Sequence, residues 1–169
     1  AVYQRLIELQ PDSMELRRSY ALFLMRQNRN PDAEAVFRNM ASRANEEIES
    51  LLDVIRYLNT VEGHESARQQ LAVYIDEHPK DLRLKFALAE LSLNADDAAA
   101  GKRILRDIAD VAGARAEGVA ALNRLTQIAL SEGDKDGAQA LIAETLGRDE
   151  NNADALILRA SIDIDRRNL

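Results

Sequence analysis

Small residues return along this chain at a fixed interval: Ala33, Ala67, Gly101 and Ala138 stand 34, 34 and 37 residues apart. Phe37, Leu71, Leu105 and Ile142 keep the same intervals, as do Met40, Tyr74, Ile108 and Thr145. A second register runs through Ala21, Ile55, Ala89, Thr126 and Ala160, spaced 34, 34, 37 and 34. Pro11, Asn45, Pro79 and Gly113, each 34 apart, punctuate it. A period of this size marks a repeat architecture, in which each unit has an apolar face that only its neighbours cover. The longer interval places a three-residue insertion between Gly113 and Thr126, around Glu117 and Gly118.

Inside each unit the apolar residues keep helical spacing. Ala33, Phe37, Met40, Ala41 and Ala44 form one stripe, and Leu51, Val54, Ile55 and Leu58 another. Breakers cut each unit in two: Asn30-Pro31-Asp32, Glu62-Gly63-His64, Asp96-Asp97 and Gly133-Asp134. Asn30 before Pro31, and Asp134 before an Ala-rich run, are ready N-caps. The pattern predicts ten helices, over 1–10, 13–27, 31–43, 46–60, 64–78, 81–94, 97–111, 115–132, 134–147 and 151–167. Small residues such as Ala21 and Ala33 let two helices approach at the short end of the ~8–10 Å range. Phe37 and Leu71 then fill the volume beyond.

Composition agrees. Apolar residues make up 46%, enough for a sizeable core, but aromatics only 4%, so close-packed Ala- and Leu-rich helices fit better than a sandwich or barrel. Twenty-two basic against 29 acidic residues give a charge of −7, which repels phosphate backbones and argues against nucleic acid as a partner. There is no cysteine, hence no disulfide, thiolate chemistry or Cys-ligated zinc, and the chain suits cytosol and periplasm alike. No apolar run approaches the ~18 residues of a membrane helix. With no initiator Met and no signal pattern, any targeting segment is expected outside this sequence.

The 34-residue helix–turn–helix, with a small residue in each helix and a closing Pro, resembles the tetratricopeptide repeat. Arg5-Leu6-Ile7-Glu8-Leu9-Gln10-Pro11 looks like the end of that family's second helix, and Glu132-Gly133-Asp134-Lys135-Asp136-Gly137-Ala138 like its inter-helix turn. The resemblance covers the whole chain. It implies an all-α fold: a right-handed α-solenoid of stacked antiparallel helix pairs. The expected division is a second half-repeat over 1–11, four repeats over 12–45, 46–79, 80–113 and 114–150, and a first helix of a further repeat over 151–169. The chain thus reads as a segment of a longer repeat protein. This sequence departs from the family pattern at several places. Arg17, Leu51, Lys85 and Leu122 stand where a Trp opens the first helix, Ile55 and Thr126 exceed the family's small residue, and Pro is absent at Asn45, Gly113 and Glu150.

Catalytic and metal motifs are weak. His64 and His78 lie 14 residues apart, about 21 Å along one helix, too far to share a metal. His64-Glu65 opens like a zinc-protease helix, but Arg68 occupies the place of the second His. Asp134-Lys135-Asp136-Gly137 lacks the distal ligands of a calcium loop, and Gly101-Lys102-Arg103 lacks the earlier glycine of a phosphate loop. The acidic pairs Asp163/Asp165 and Glu46/Glu47 have no neighbours to split their pKa values. No cofactor and no enzyme activity are expected.

The resemblance also implies that the first helices line a concave groove. Its walls would carry Arg18, Leu22, Met25 and Arg26, then Leu52, Arg56 and Asn59, then Arg83, Phe86, Glu90, Leu93 and Asn94, then Asn123 and Gln127. This is not the carboxylate-clamp set, because Leu22, Asp53 and Ala87 stand where that pattern wants polar or basic groups. Arg18, Arg56 and Arg83, with Glu90 as the one acid placed among them, predict a positive wall that draws an acidic or C-terminal-carboxylate peptide. The competing reading pairs these arginines with local acids and packs Phe86 against a neighbouring helix. Two functions follow: a protein-interaction scaffold holding a peptide or helix in the groove, or a passive spacer in a larger multi-repeat assembly such as a bacterial envelope or export apparatus. The apolar faces around Tyr3, Ile7, Leu156 and Ile164 predict either fraying near residues 1–10 and 155–169 or end-to-end contacts between molecules.

Overall fold

The computed structural model describes residues 2–43, 47–95 and 97–167. Ala44, Asn45, Glu46 and Asp96, on which parts of the expected stripe, punctuation and acidic pairing fall, lie outside the described residues, as does the side chain of Asp165. The described residues form ten α-helices and no strand: α1 (Val2–Leu9), α2 (Met14–Arg26), α3 (Asn30–Arg43), α4 (Ile48–Val61), α5 (His64–Glu77), α6 (Leu82–Asn94), α7 (Ala98–Ala112), α8 (Ala116–Ser131), α9 (Lys135–Arg148) and α10 (Ala153–Arg167). Every predicted range is met to within two residues.

Local chemistry sets the ends of the helices. Ser13, Asp97 and Asp134 cap α2, α7 and α9, their side-chain oxygens accepting from the N–H groups of Leu16, Ala100 and Gly137. Asn152 does the same for α10, accepting from Ala155 N at 3.0 Å. Asn30, expected as a cap, instead lies inside the first turn of α3, where its carbonyl accepts from the Tyr57 hydroxyl at 3.0 Å. The turns α2–α3, α4–α5 and α8–α9 each contain a left-handed residue, Asn28, Gly63 and Gly133. Glycine takes that conformation without penalty, and Asn tolerates it better than most residues.

The three-residue insertion lengthens α8 to 16 residues, against 13 for α6. Its Gly118 is required by space, since a Cβ there would collide with the Gly113 carbonyl oxygen.

The registers read from the sequence are the core. Ala33, Ala67, Gly101 and Ala138 are buried, and so are the Phe37 and Met40 rows that follow them. Ala21, Ile55, Ala89 and Thr126 are buried as well, whereas Ala160 is exposed. In α10 it is Ala155 and Ile162 that pack inward, against Ala138 and Ile142 of α9. The two threonines cost little in the core because their hydroxyls donate to carbonyls one turn back, Thr126 to Leu122 and Thr145 to Leu141, both at 2.9 Å.

The helices gather into two compact units, residues 1–84 and 85–169, with the boundary inside α6. On α1, Tyr3 is half-buried against Tyr20 and Phe23, at ring separations of 5.5 and 5.3 Å, and Ile7 is half-buried too. The apolar residues exposed there are Val2, Leu6 and Leu9. On α10 Leu156 is half-buried, while Ile157 and Ile164 are exposed. The uncovered apolar surface therefore differs from the expected set except at Ile164.

Phe37→Ala should open a cavity and cost about 3–5 kcal/mol, and Ala33→Leu should overpack a helix crossing at about 1–3 kcal/mol. Gly101→Ala should also destabilise the fold, against its favourable helix propensity, because the added Cβ would stand 2.9 Å from the Ala89 carbonyl oxygen. Chemical denaturation of the three variants checks the register.

Candidate functional site

Between α2 and α4 the first unit opens into a cleft of about 550 Å³. Met14, Leu22 and Met25 give α2 an apolar wall, and Phe37 and Tyr57 close the bottom. Their rings pack at 5.7 Å, and the bond from Tyr57 to Asn30 fixes the phenol. Arg18, Asp53 and Arg56 form the polar side, with Glu47 and Glu49 at the start of α4.

Asp53 organises that polar side. Its side chain is only 4% exposed, yet it accepts from Arg18 Nε and from Arg56 Nη1, each at 2.7 Å. Arg18 thereby ties α2 to α4, one repeat later, while Arg56 reaches its partner one turn back on its own helix. Arg56 also touches Glu49 at 3.5 Å. Burial of a carboxylate is tolerable here because two guanidinium groups compensate it at once.

The other expected groove residues are dispersed. Arg83 chelates Asp81, with bonds of 2.6 to 3.2 Å, at a separate shallow depression beside His78, Pro79 and Lys80. That hydrogen bonding, chiefly, holds the Asp81 carboxyl below the usual carboxylate range. Arg26 is exposed in the last turn of α2, Leu52 is half-buried, and neither lines the cleft. Asn59 is half-buried, and its Oδ1 has no donor. Phe86, Glu90 and Asn94 belong to the second unit, where Phe86 is half-buried and Asn94 exposed. Glu90 is taken by Arg124, at 2.7 and 2.8 Å.

Arg18, Leu22 and Arg56 are thus brought together, but the expected positive wall is not formed. Each of Arg18, Arg56 and Arg83 is held by an acid of its own chain, the pairing weighed against that wall, and Glu47 and Glu49 are not among the expected groove residues. The cause lies in packing. Asp53 follows Leu52, the position equivalent to Arg18 on the next first helix, and one residue of helical rotation turns it toward Arg18. An acid 35 residues after an arginine was the available signal.

No protein-family model matches the sequence. No curated protein matches it either. Solved structures do. A thermophilic tetratricopeptide-repeat protein of Thermus thermophilus superposes with a TM-score of 0.64 at 14% identity, covering 96% of this chain and 87% of that one. A tetratricopeptide-repeat protein of Parabacteroides merdae gives 0.57 at 12% identity, over 95% of this chain and 62% of the other. This chain has the tetratricopeptide-repeat fold. Nearly identical repeats of the same kind, from a Podosopora anserina protein described as a kinesin light chain, give 0.57 at 11% identity, over 89% and 85%. At these identities the likeness is one of fold.

The second unit carries its own cleft, of about 670 Å³, between α8 and the α9–α10 corner. Ala116, Ala120, Arg124, Arg148, Asp149 and Asp154 are among the residues that line it. Asn123, expected on the groove, is buried here and donates to Asn152 Oδ1 at 3.1 Å. Gln127 is exposed at the same cleft.

Asp53→Ala should cost about 1–3 kcal/mol, the loss of a buried acceptor with two charged donors. Arg56→Ala should cost less than about 1 kcal/mol, because its side chain is 61% exposed and Arg18 remains on Asp53. Urea titrations of both variants test this order.

Proposed function

We propose that this chain is a non-catalytic protein–protein interaction scaffold that holds a peptide or helix of a partner in the groove its first helices line. The observation that carries this reading is the first-unit cleft, in which Leu22 stands exposed beside half-buried Met14 and Met25. An open apolar wall next to fixed polar groups suits an extended segment or an amphipathic helix. Arg18, Asp53 and Arg56 beside it are engaged in ion pairs, of which Arg18–Asp53 holds α2 to α4. Among the described residues no group of three or more His, Asp or Glu side chains is placed to hold a metal.

The ion pairs also favour a second reading. Arg18–Asp53 and Glu90–Arg124 each link successive first helices, as a passive spacer in a multi-repeat assembly would need. End-to-end contact through the exposed residues of α1 and α10 would extend such an array, and concentration-dependent sedimentation would reveal it.

A photo-cross-linking side chain separates the two readings. Leu22 in the cleft and Val73 on α5 are exposed to nearly the same degree, 44% and 48%. Cross-links to a discrete partner from position 22 and not from 73 are expected from the scaffold. The partner so found should then bind Leu22→Ala more weakly than Lys135→Ala. Equal labelling from both positions, or none from either, favours the spacer.

A further inference from the structure

Resting on the scaffold reading, we infer that the segment held by this chain is basic, with Lys or Arg side chains set among apolar ones. The reason is how the charges of the two clefts are already committed.

In the first-unit cleft both guanidinium groups are bound to Asp53 at 2.7 Å. A carboxylate brought by a ligand would have to compete for them. Success would leave Asp53, 4% exposed, as an uncompensated buried charge, which is strongly unfavourable. The acids at the start of α4 are open to approach. Glu47 is exposed, makes no capping bond, and has no ion-pair partner among the described residues. Glu49 has only the 3.5 Å contact with Arg56. An incoming ammonium or guanidinium there breaks at most the 3.5 Å contact of Glu49 with Arg56.

The second-unit cleft repeats the asymmetry with different residues. Arg124 is held by Glu90, and Arg148 by Glu144 at 2.6 Å and by the carbonyls of Ala109 and Gly113. Asp149 accepts only from the amides of its neighbours Asn151 and Asn152, and exposed Asp154 has no ion-pair partner among the described residues. Asn123 adds nothing to this asymmetry, since its Oδ1 is enclosed and its amide donates to Asn152 Oδ1, which also caps α10. Both clefts therefore offer acceptors and negative charge while their own cations are engaged. The chain's −7 charge acts in the same sense at longer range, raising the encounter rate with cationic segments.

A random-peptide display library panned against the intact chain reads the preference directly. The enriched pool is expected to be net basic. The best peptide should lose affinity when its Lys and Arg residues become Gln, and when salt is raised. Glu47→Gln with Glu49→Gln, or Asp154→Asn, should weaken it about two- to fivefold, the effect of one exposed charge pair. Asp76→Asn, a similar loss of charge on exposed α5, is the control and should leave binding unchanged. An acidic enriched pool overturns the inference and leaves the scaffold reading standing. Equal weakening by Asp76→Asn shows that net charge acts without the clefts, and overturns the assignment to them. No enrichment over the empty support overturns both.

Discussion

The closest helix approaches dictate most of what this chain can be. At Gly101 on α7 an added Cβ would lie 2.6 Å from Leu93 Cγ and 2.9 Å from the Ala89 carbonyl oxygen of α6. The equivalent positions Ala33, Ala67 and Ala138 are fully buried. Two helices that close leave no room for a larger side chain at the crossing, and the apolar residues one and two turns on fill the widening space. Repeating that crossing at intervals of 34, 34 and 37 residues repeats the hairpin. A single hairpin would leave its stripe uncovered, so each unit depends on the next.

Polar contacts between neighbouring repeats are laid over this packing. Arg148 at the end of α9 donates to Ala109 O, which also accepts from Gly113 N, and to Gly113 O, at the end of α7 where a cation suits the helix dipole. Its second amino group holds Glu144, which in turn binds Arg106 of α7 at 2.8 Å. Lys102 reaches Glu132 at the turn before α9. Such pairs are partly exposed and individually weak. Their consequence is for recognition: they take up the arginines that a partner would otherwise meet and leave the carboxylates at the cleft edges.

The helices were legible in the sequence because their boundaries depend on neighbours within a few residues. Ser13, Asp97 and Asp134 accept bonds from N–H groups three positions ahead, so a cap can be read without knowing the fold. The need for Gly118 could not be read this way, since it follows from where the inserted turn brings the Gly113 carbonyl. Asn30 shows the limit from the other side: a capping residue in sequence became a helical one whose carbonyl serves Tyr57, 27 residues away.

The sequence by itself determined the period, the helix pairs and the buried rows, because 3.6-residue periodicity and residue volume act the same way in every copy. Arg18, Leu22 and Arg56 line one cleft of the first unit. The charge of that cleft was decided by tertiary structure. Whether an arginine is free or neutralised depends on a rotation of one residue along the facing helix, which turned Asp53 rather than Leu52 toward Arg18. Periodicity places a side chain on a face, but its partner is set by distances of 2.7 Å between atoms a full repeat apart, and these arise only when the two helices are packed.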